Sequence, residues 1–189
     1  RLAAAGDNNM RRSSSNYGAS LPYQGLDVRA SFSYAGYQAL RSANQSLTDV
    51  VAFAPIDSVN VIVNGAAELA GAHGVSGNFF SVLRVPMALG RTLTEDDDRA
   101  GAEPAAVISH ALWRRRFGSD AAIVGRPVRM NNTPVTIVGV TAPQYAGVMR
   151  LGDLAPEVTI ALAMDGVLNP AQAKRLSEPT WWWLLAMGR

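Results

Sequence analysis

The sequence predicts an α+β domain, largely antiparallel, made of short strands in hairpins interleaved with short helices. Two hairpin signals and two capped helices carry that prediction. Asn64-Gly65 joins VNVIV (59–63) to AAELAGAHGV (66–75), and both turn residues accept positive φ, as a type I′ turn requires. Asn131-Asn132-Thr133 joins PVRM (127–130) to PVTIVGV (134–140) as a second hairpin. Ser33 and Ser109 stand where helix N-caps belong, ahead of YAGYQALRSAN (34–44) and HALWRRRF (110–117).

The elements follow in order. Residues 1–28, rich in Ser, Asn, Gly and Arg, read as a flexible or irregular segment. Tyr34, Tyr37 and Leu40 recur at near-helical spacing after Ser33. LTDVVAFA (47–54) is short, apolar and β-leaning, a buried strand. Residues 77–83 predict a short helix with Phe79, Phe80 and Leu83 on one face, stopped by Pro86 and Gly90. Thr94 before Glu95-Asp96-Asp97-Asp98 predicts a capped helix start with its acids near the positive end. AAVI (105–108) is a strand. The helix after Ser109 closes at Gly118 and turns Leu112, Trp113 and Phe117 inward. These six apolar residues, Phe79, Phe80, Leu83, Leu112, Trp113 and Phe117, are expected to share one core. PEVTIALAM (156–164) alternates, with Val158, Ile160, Leu162 and Met164 on one face. Asn169-Pro170 opens a helix through AQAKRL (171–176). WWWLLAMGR (181–189) reads as a strand with Trp181 and Trp183 on the same side.

Composition narrows function. The chain has 189 residues, 48% hydrophobic and 17% charged, within the globular range. A net charge of +2 disfavours a nucleic-acid footprint. Lys174 is the sole lysine beside sixteen arginines, so the basic pI of 9.3 reports a small arginine excess. The absence of cysteine excludes disulfides, thiol catalysis and Cys-ligated zinc. The chain opens on Arg1 without a signal-peptide pattern and has no apolar run of membrane-spanning length, so it reads as a fragment without its flanks.

Groups for chemistry are sparse. His73 and His110, 37 positions apart on different elements, do not define a metal site by spacing. His73 reads as a half-buried structural histidine and His110 as solvent-facing. The consecutive acids 95–98 lack the alternation and turn glycine of a calcium loop, and a solvated loop or helix start is favoured. Arg114-Arg115-Arg116 spreads around its helix and is favoured as a solvated face, with lipid head groups or a partner as the alternative. Trp181 and Trp183 are favoured as core, with an aromatic belt at a bilayer interface as the competitor. No nucleophile–base pair, catalytic carboxylate pair or phosphate loop is present, so no cofactor and no enzyme activity are expected.

Four segments in order carry a resemblance: VSGNFFSVLRVPMALGR (75–91), VISHALWRRRFG (107–118), IVGR (123–126) and VTIVGV (135–140). Together they resemble the extracytoplasmic (periplasmic core) domain of MacB-like ABC-transporter permeases, nearest the acidobacterial duplicated permeases. The resemblance runs from about Phe32 to Pro143, with an echo at 183–189. Two positions depart from the family pattern: Arg84 and Asn132 stand where glycine is usual. The resemblance implies a two-lobed fold. Residues 29–55 and 180–189 would form an incomplete membrane-proximal lobe, and 56–179 an inserted mixed α/β lobe. It implies a non-catalytic domain on the extracytoplasmic side of a bacterial cell membrane, coupling ATP-driven membrane-helix motion to substrate export or extraction. The implied partners are the transmembrane helices of the same parent permease, a separate ATPase domain or subunit, and a second copy of the domain. Arg114, Arg115, Arg116, Trp181 and Trp183 are the residues expected to face a partner or the membrane. A stand-alone small-ligand or peptide binding module is the alternative, and a deep apolar pocket would favour it.

Overall fold

The computed structural model describes residues 20–23, 26–29, 31–63, 65–148 and 156–189, with side chains from residue 31 onward, Asp57 excepted. Most of the 1–28 segment therefore lies outside the described residues. Its last part holds strands β1 (Ser20–Tyr23) and β2 (Leu26–Arg29), paired antiparallel.

Helix α1 (Tyr34–Ser42) begins as expected at Ser33, whose hydroxyl accepts from Gly36 N at 3.2 Å. The two strands read from the sequence at 47–54 and 59–63 are one, β3 (Val50–Val63), with a bulge between Ile56 and Val59. The sequence hid this because Pro55 and the polar 57–58 pair interrupt the apolar pattern where the bulge absorbs them. β3 pairs antiparallel with β4 (Ala66–Val75). Val63 opposes Ala66 and Gly65 has φ +79°, while Asn64 lies outside the described residues.

Strands β5 (Met87–Gly90), β6 (Ala105–Ile108), β7 (Pro127–Met130), β8 (Thr133–Thr141), β9 (Val158–Ala161) and β10 (Leu185–Gly188) complete the main sheet, whose order is β10-β3-β4-β9-β6-β8-β5. Pairing of β7 with both β8 and β3 closes β3, β4, β9, β6, β8 and β7 into a ring. Two pairings are parallel, β4 with β9 and β6 with β8; the others are antiparallel. The second hairpin turn is tighter than its sequence suggested. Met130 opposes Thr133, and Asn131 and Asn132 both take positive φ, 46° and 67°, as a type I′ turn demands.

Alternate residues of the six ring strands fill its interior: Val61, Ala72, Ile160, Ala106, Ile137 and Met130 are all fully buried there. Helix α3 (His110–Phe117), capped by Ser109 and closed by Gly118 at φ +57°, adds Leu112. A second apolar layer covers the outer face of the sheet. It comprises Phe79 and Phe80 of helix α2 (Phe79–Leu83), packed on Phe53, Val75, Val107 and Leu93. The six apolar helix residues thus serve two cores, not one. Leu83, Trp113 and Phe117 are only half-buried.

Three expectations near the C-terminal side fail for local reasons. Residues 158–161 form a strand buried on both faces, and Leu162–Met164 and Asp165–Leu168 turn instead into short helical segments, so the alternation stops early. After Asn169 only a single 3-10 turn forms, Pro170–Gln172, because Arg175 is drawn into the interior. The three tryptophans precede β10 and are not part of it. The acids 95–98 form turns, not a helix start, because two of them point back into the protein.

Candidate functional site

The polar groups of the molecule converge where α1, the start of β3, α2 and the 91–98 loop meet. The VSGNFF motif is the hub. Ser76 Oγ accepts from Ala52 N at 3.0 Å and donates to Asn78 Oδ1 at 2.7 Å. Asn78 Nδ2 donates to Asp49 Oδ2 at 2.8 Å and to the Val50 carbonyl at 2.9 Å. Tyr37, buried under α1, donates to the same carbonyl at 3.3 Å. Gly77 has no room for a side chain: a Cβ there would stand 2.6 Å from Glu95 Cα and 2.7 Å from Thr94 O. The motif is therefore glycine by contact, while its two phenylalanines anchor the outer core.

Arg41 grips this hub from α1. Its Nε and Nη2 both donate to Asp49 at 2.9 Å, and Nη2 reaches Glu95 Oε1 at 2.7 Å. The guanidinium first, and Asn78 with it, hold the Asp49 carboxyl down to about 2. Asp98 behaves oppositely. Its oxygens accept from Gly77 N at 3.0 Å and Ala163 N at 2.9 Å, yet burial outweighs those donors and pushes it up to about 6. Asp97 is locked by two bonds from Arg91, at 2.7 and 2.9 Å. A cleft of about 460 Å³ runs beside α1, lined by Tyr34, Tyr37, Gln38, Arg41, Ser42, Asp49, Glu95 and Asp98.

A second polar feature sits under the return of the chain. Arg175 is buried, donates to the buried Asp165 at 3.1 Å, and lies 4.7 Å from the Trp183 ring centroid and 5.8 Å from that of Trp181. Stacking on indole faces is what a guanidinium does well, and it ties 181–183 to the 165–175 segment. Trp183 is fully buried, so it does not face a partner or the membrane here; Trp181 is half-buried.

The arginine run divides. Arg115 pairs with Glu68 of β4 and, at 2.8 Å, with Glu157, while Arg116 pairs with Glu68 at 2.9 Å and donates to the Ala66 carbonyl. Both strap α3 to the ring, and only Arg114 stays exposed without a pairing role. His73 is buried, more completely than the half-buried place expected, its Nε2 has no hydrogen-bond partner, and burial lowers it to about 4. His110 is half-buried with its ring edge against Trp113. Among the described residues no group of three His, Asp or Glu is placed to hold a metal ion, and no helix is long and apolar enough to cross a membrane. Arg41, Asp49, Asp165 and Arg175 escaped the sequence reading, since no local spacing marks them; Asp98 was seen only as one of four consecutive acids.

The sequence profile of the MacB-like periplasmic core domain matches residues 3–181. The chain belongs to the MacB-like periplasmic core domain family. "Probable export ATP-binding/permease protein MacB" of Pseudomonas entomophila is 34% identical over 70 residues, which is 37% of this chain and 10% of that protein. "Probable syringafactin export ATP-binding/permease protein SyfD" of Pseudomonas syringae pv. tomato is 32% identical over 70 residues, 37% of this chain and 10% of that protein. The match thus spans about a tenth of these curated relatives' length. The extracellular domain of the noncanonic ABC-type transporter YknZ from Gram-positive bacteria superposes with a TM-score of 0.59 at 18% identity, over 83% of this chain and 72% of that one. The periplasmic region of MacB from Actinobacillus actinomycetemcomitans superposes at 0.53 and 15% identity, over 87% and 82%. These structures share the fold. As a periplasmic core domain the chain lies on the extracytoplasmic side of the membrane.

Proposed function

We propose that this periplasmic core domain is the outer part of an ABC-type export permease in a bacterial cell membrane. It performs no chemistry of its own and couples ATP-driven motion of the parent's membrane helices to substrate export or extraction. The observation that carries the reading is the family match over residues 3–181. Its topology agrees with that role. β10 returns to pair with residues 50–53 of β3, and Phe32 and Leu184 exchange backbone hydrogen bonds beside it. Entry to and exit from the ring are therefore adjacent, as an inserted lobe on a membrane-proximal base requires. On this reading residues 29–55 and 180–189 are the base, 56–179 the inserted lobe, and Arg114 and Trp181 the members of the expected surface set left to meet a partner or head groups. The parent's transmembrane helices and an ATPase domain or subunit are the partners.

The stand-alone binding module is the weaker reading. The charged groups at the centre of the cleft beside α1, Arg41, Asp49 and Glu95, are already paired with one another and are not free to orient a small molecule.

The test uses the parent protein in intact cells. The chain has no cysteine, so one introduced at exposed Glu103 gives a single reporter in this domain. A membrane-impermeant maleimide should label it from outside the inner membrane. Labelling only after lysis would refute the assignment.

A further inference from the structure

We propose that Arg41 is a two-handed clasp, with Asp49 as its fixed partner in the base and Glu95 as a releasable partner that joins α1 to the 91–98 loop. The fixed hand is geometric. Arg41 meets Asp49 through two parallel bonds of 2.9 Å, and Asp49 is itself held by Val50 N at 2.7 Å and Asn78 at 2.8 Å. A bidentate pair with extra donors does not open without losing several bonds at once.

The other hand differs in each respect. Glu95 takes a single bond from Nη2, and its side chain is 54% exposed. Ion pairs this exposed shift an opening equilibrium by only about two- to fivefold and are screened by salt. The ground on which Glu95 stands is rigid. Arg91 and Thr94 lock Asp97, Asp98 binds the backbone at Gly77 and Ala163, and Gly77 presses on the backbone of 94–95. When the weak hand lets go, the loop stays with α2 and the 162–164 turn, the fixed hand and buried Tyr37 keep the body of α1 on β3, and only the last turn of α1 around Arg41 and Ser42 loosens at the mouth of the cleft. Its use as a coupling joint between base and ring rests on the permease reading above; the clasp itself does not.

Hydrogen exchange on the 189-residue chain reads the clasp directly. At low ionic strength Glu95→Gln should raise exchange of the last-turn amides of α1 about two- to fivefold and leave β4 and β9 unchanged. Added salt should reproduce that rise in the wild type and add nothing in Glu95→Gln. Asp49→Asn should instead loosen α1, the start of β3 and α2 together. An unchanged α1 in Glu95→Gln, a rise spread evenly over the ring strands, or global unfolding of that variant would each overturn the proposal. No transport is needed for the readout, so it stands apart from the labelling result in the parent.

Discussion

The two ends of β3 differ in what is added to apolar burial. At its far end, Val61 and Ile62 pair with Met130 and Arg129 of β7 and close a ring filled by aliphatic side chains. At its near end, Val50–Phe53 pair with β10 and are buried in the two apolar cores, and a polar network of Asp49, Asn78, Ser76 and Arg41 stands against them; the Arg175–Asp165 pair lies beneath Trp183 nearer the bulge. The far end is stabilised by non-directional burial, which tolerates repacking. The near end adds directional bonds to its burial, and each partner lost there leaves another group buried and unsatisfied. One strand therefore joins a region that resists deformation to one with discrete contacts that can be made and broken.

The sharpest way to break the contrast is Arg175→Met. Removing the guanidinium takes from buried Asp165 a charge-assisted partner, so the loss should be about 3–5 kcal/mol by chemical denaturation. Most of it should return in Arg175→Met/Asp165→Leu, because an apolar replacement of both partners is often neutral. No recovery in the double variant would show that the tryptophan stack, not the ion pair, holds this corner. At the ring end Ile137→Ala should cost about 2–5 kcal/mol, with no second-site partner able to restore it. A loss below about 1 kcal/mol would mean the ring interior is not the tight core described.

Acid separates the regions next. His73 in the ring wall has a folded value of about 4 against 6.5 when unfolded, so the unfolded chain binds the proton first. Stability is lost as pH falls from about 6.5 towards 4, on the order of 3 kcal/mol in total. Asp98 at the junction has a folded value of about 6 against 3.8, so the folded chain binds the proton first and its contribution grows as pH falls through the same range. The two oppose. His73→Gln should flatten the acid-side loss and Asp98→Asn should steepen it, as read by denaturation midpoints between pH 7 and 4. The smallest effect is expected at Arg84, which closes α2 in the left-handed region at φ 52°. Arg84→Gly should stabilise by roughly 0.5–1 kcal/mol, seen as a raised thermal midpoint; a destabilised variant would show that the arginine makes contacts that outweigh its backbone strain.

Local chemistry made the hairpins, the Ser33 and Ser109 caps, the Gly118 stop and the inward faces of α2 and α3 legible in advance, because each is decided by neighbours within about four residues. The SGNFF motif was legible as a signature, but its reason was not. Ser76 and Asn78 bond to residues 24 to 29 positions away, and Gly77 is fixed by the backbone of 94–95. The acid run shows the limit most plainly. Four consecutive acids look alike in sequence, yet Asp97 locks its own loop, Asp98 is partly buried on two distant amides, Glu95 reaches α1, and exposed Asp96 pairs with Arg99. In the same way Arg115 and Arg116 are straps while Arg114 is surface, because β4 passes under one side of α3 only.

The sequence by itself determined the α+β class, most of the elements and the family, since periodicity, caps, turns and a run of motifs are local properties. Only the tertiary structure decided that β3 is continuous, that β7 closes a ring, and that isolated Arg41 and Arg175 become the cations of the junction and the C-terminal corner. Those outcomes depend on which distant carboxylates and rings the fold brings within hydrogen-bond or stacking range, and no spacing along the chain encodes that distance.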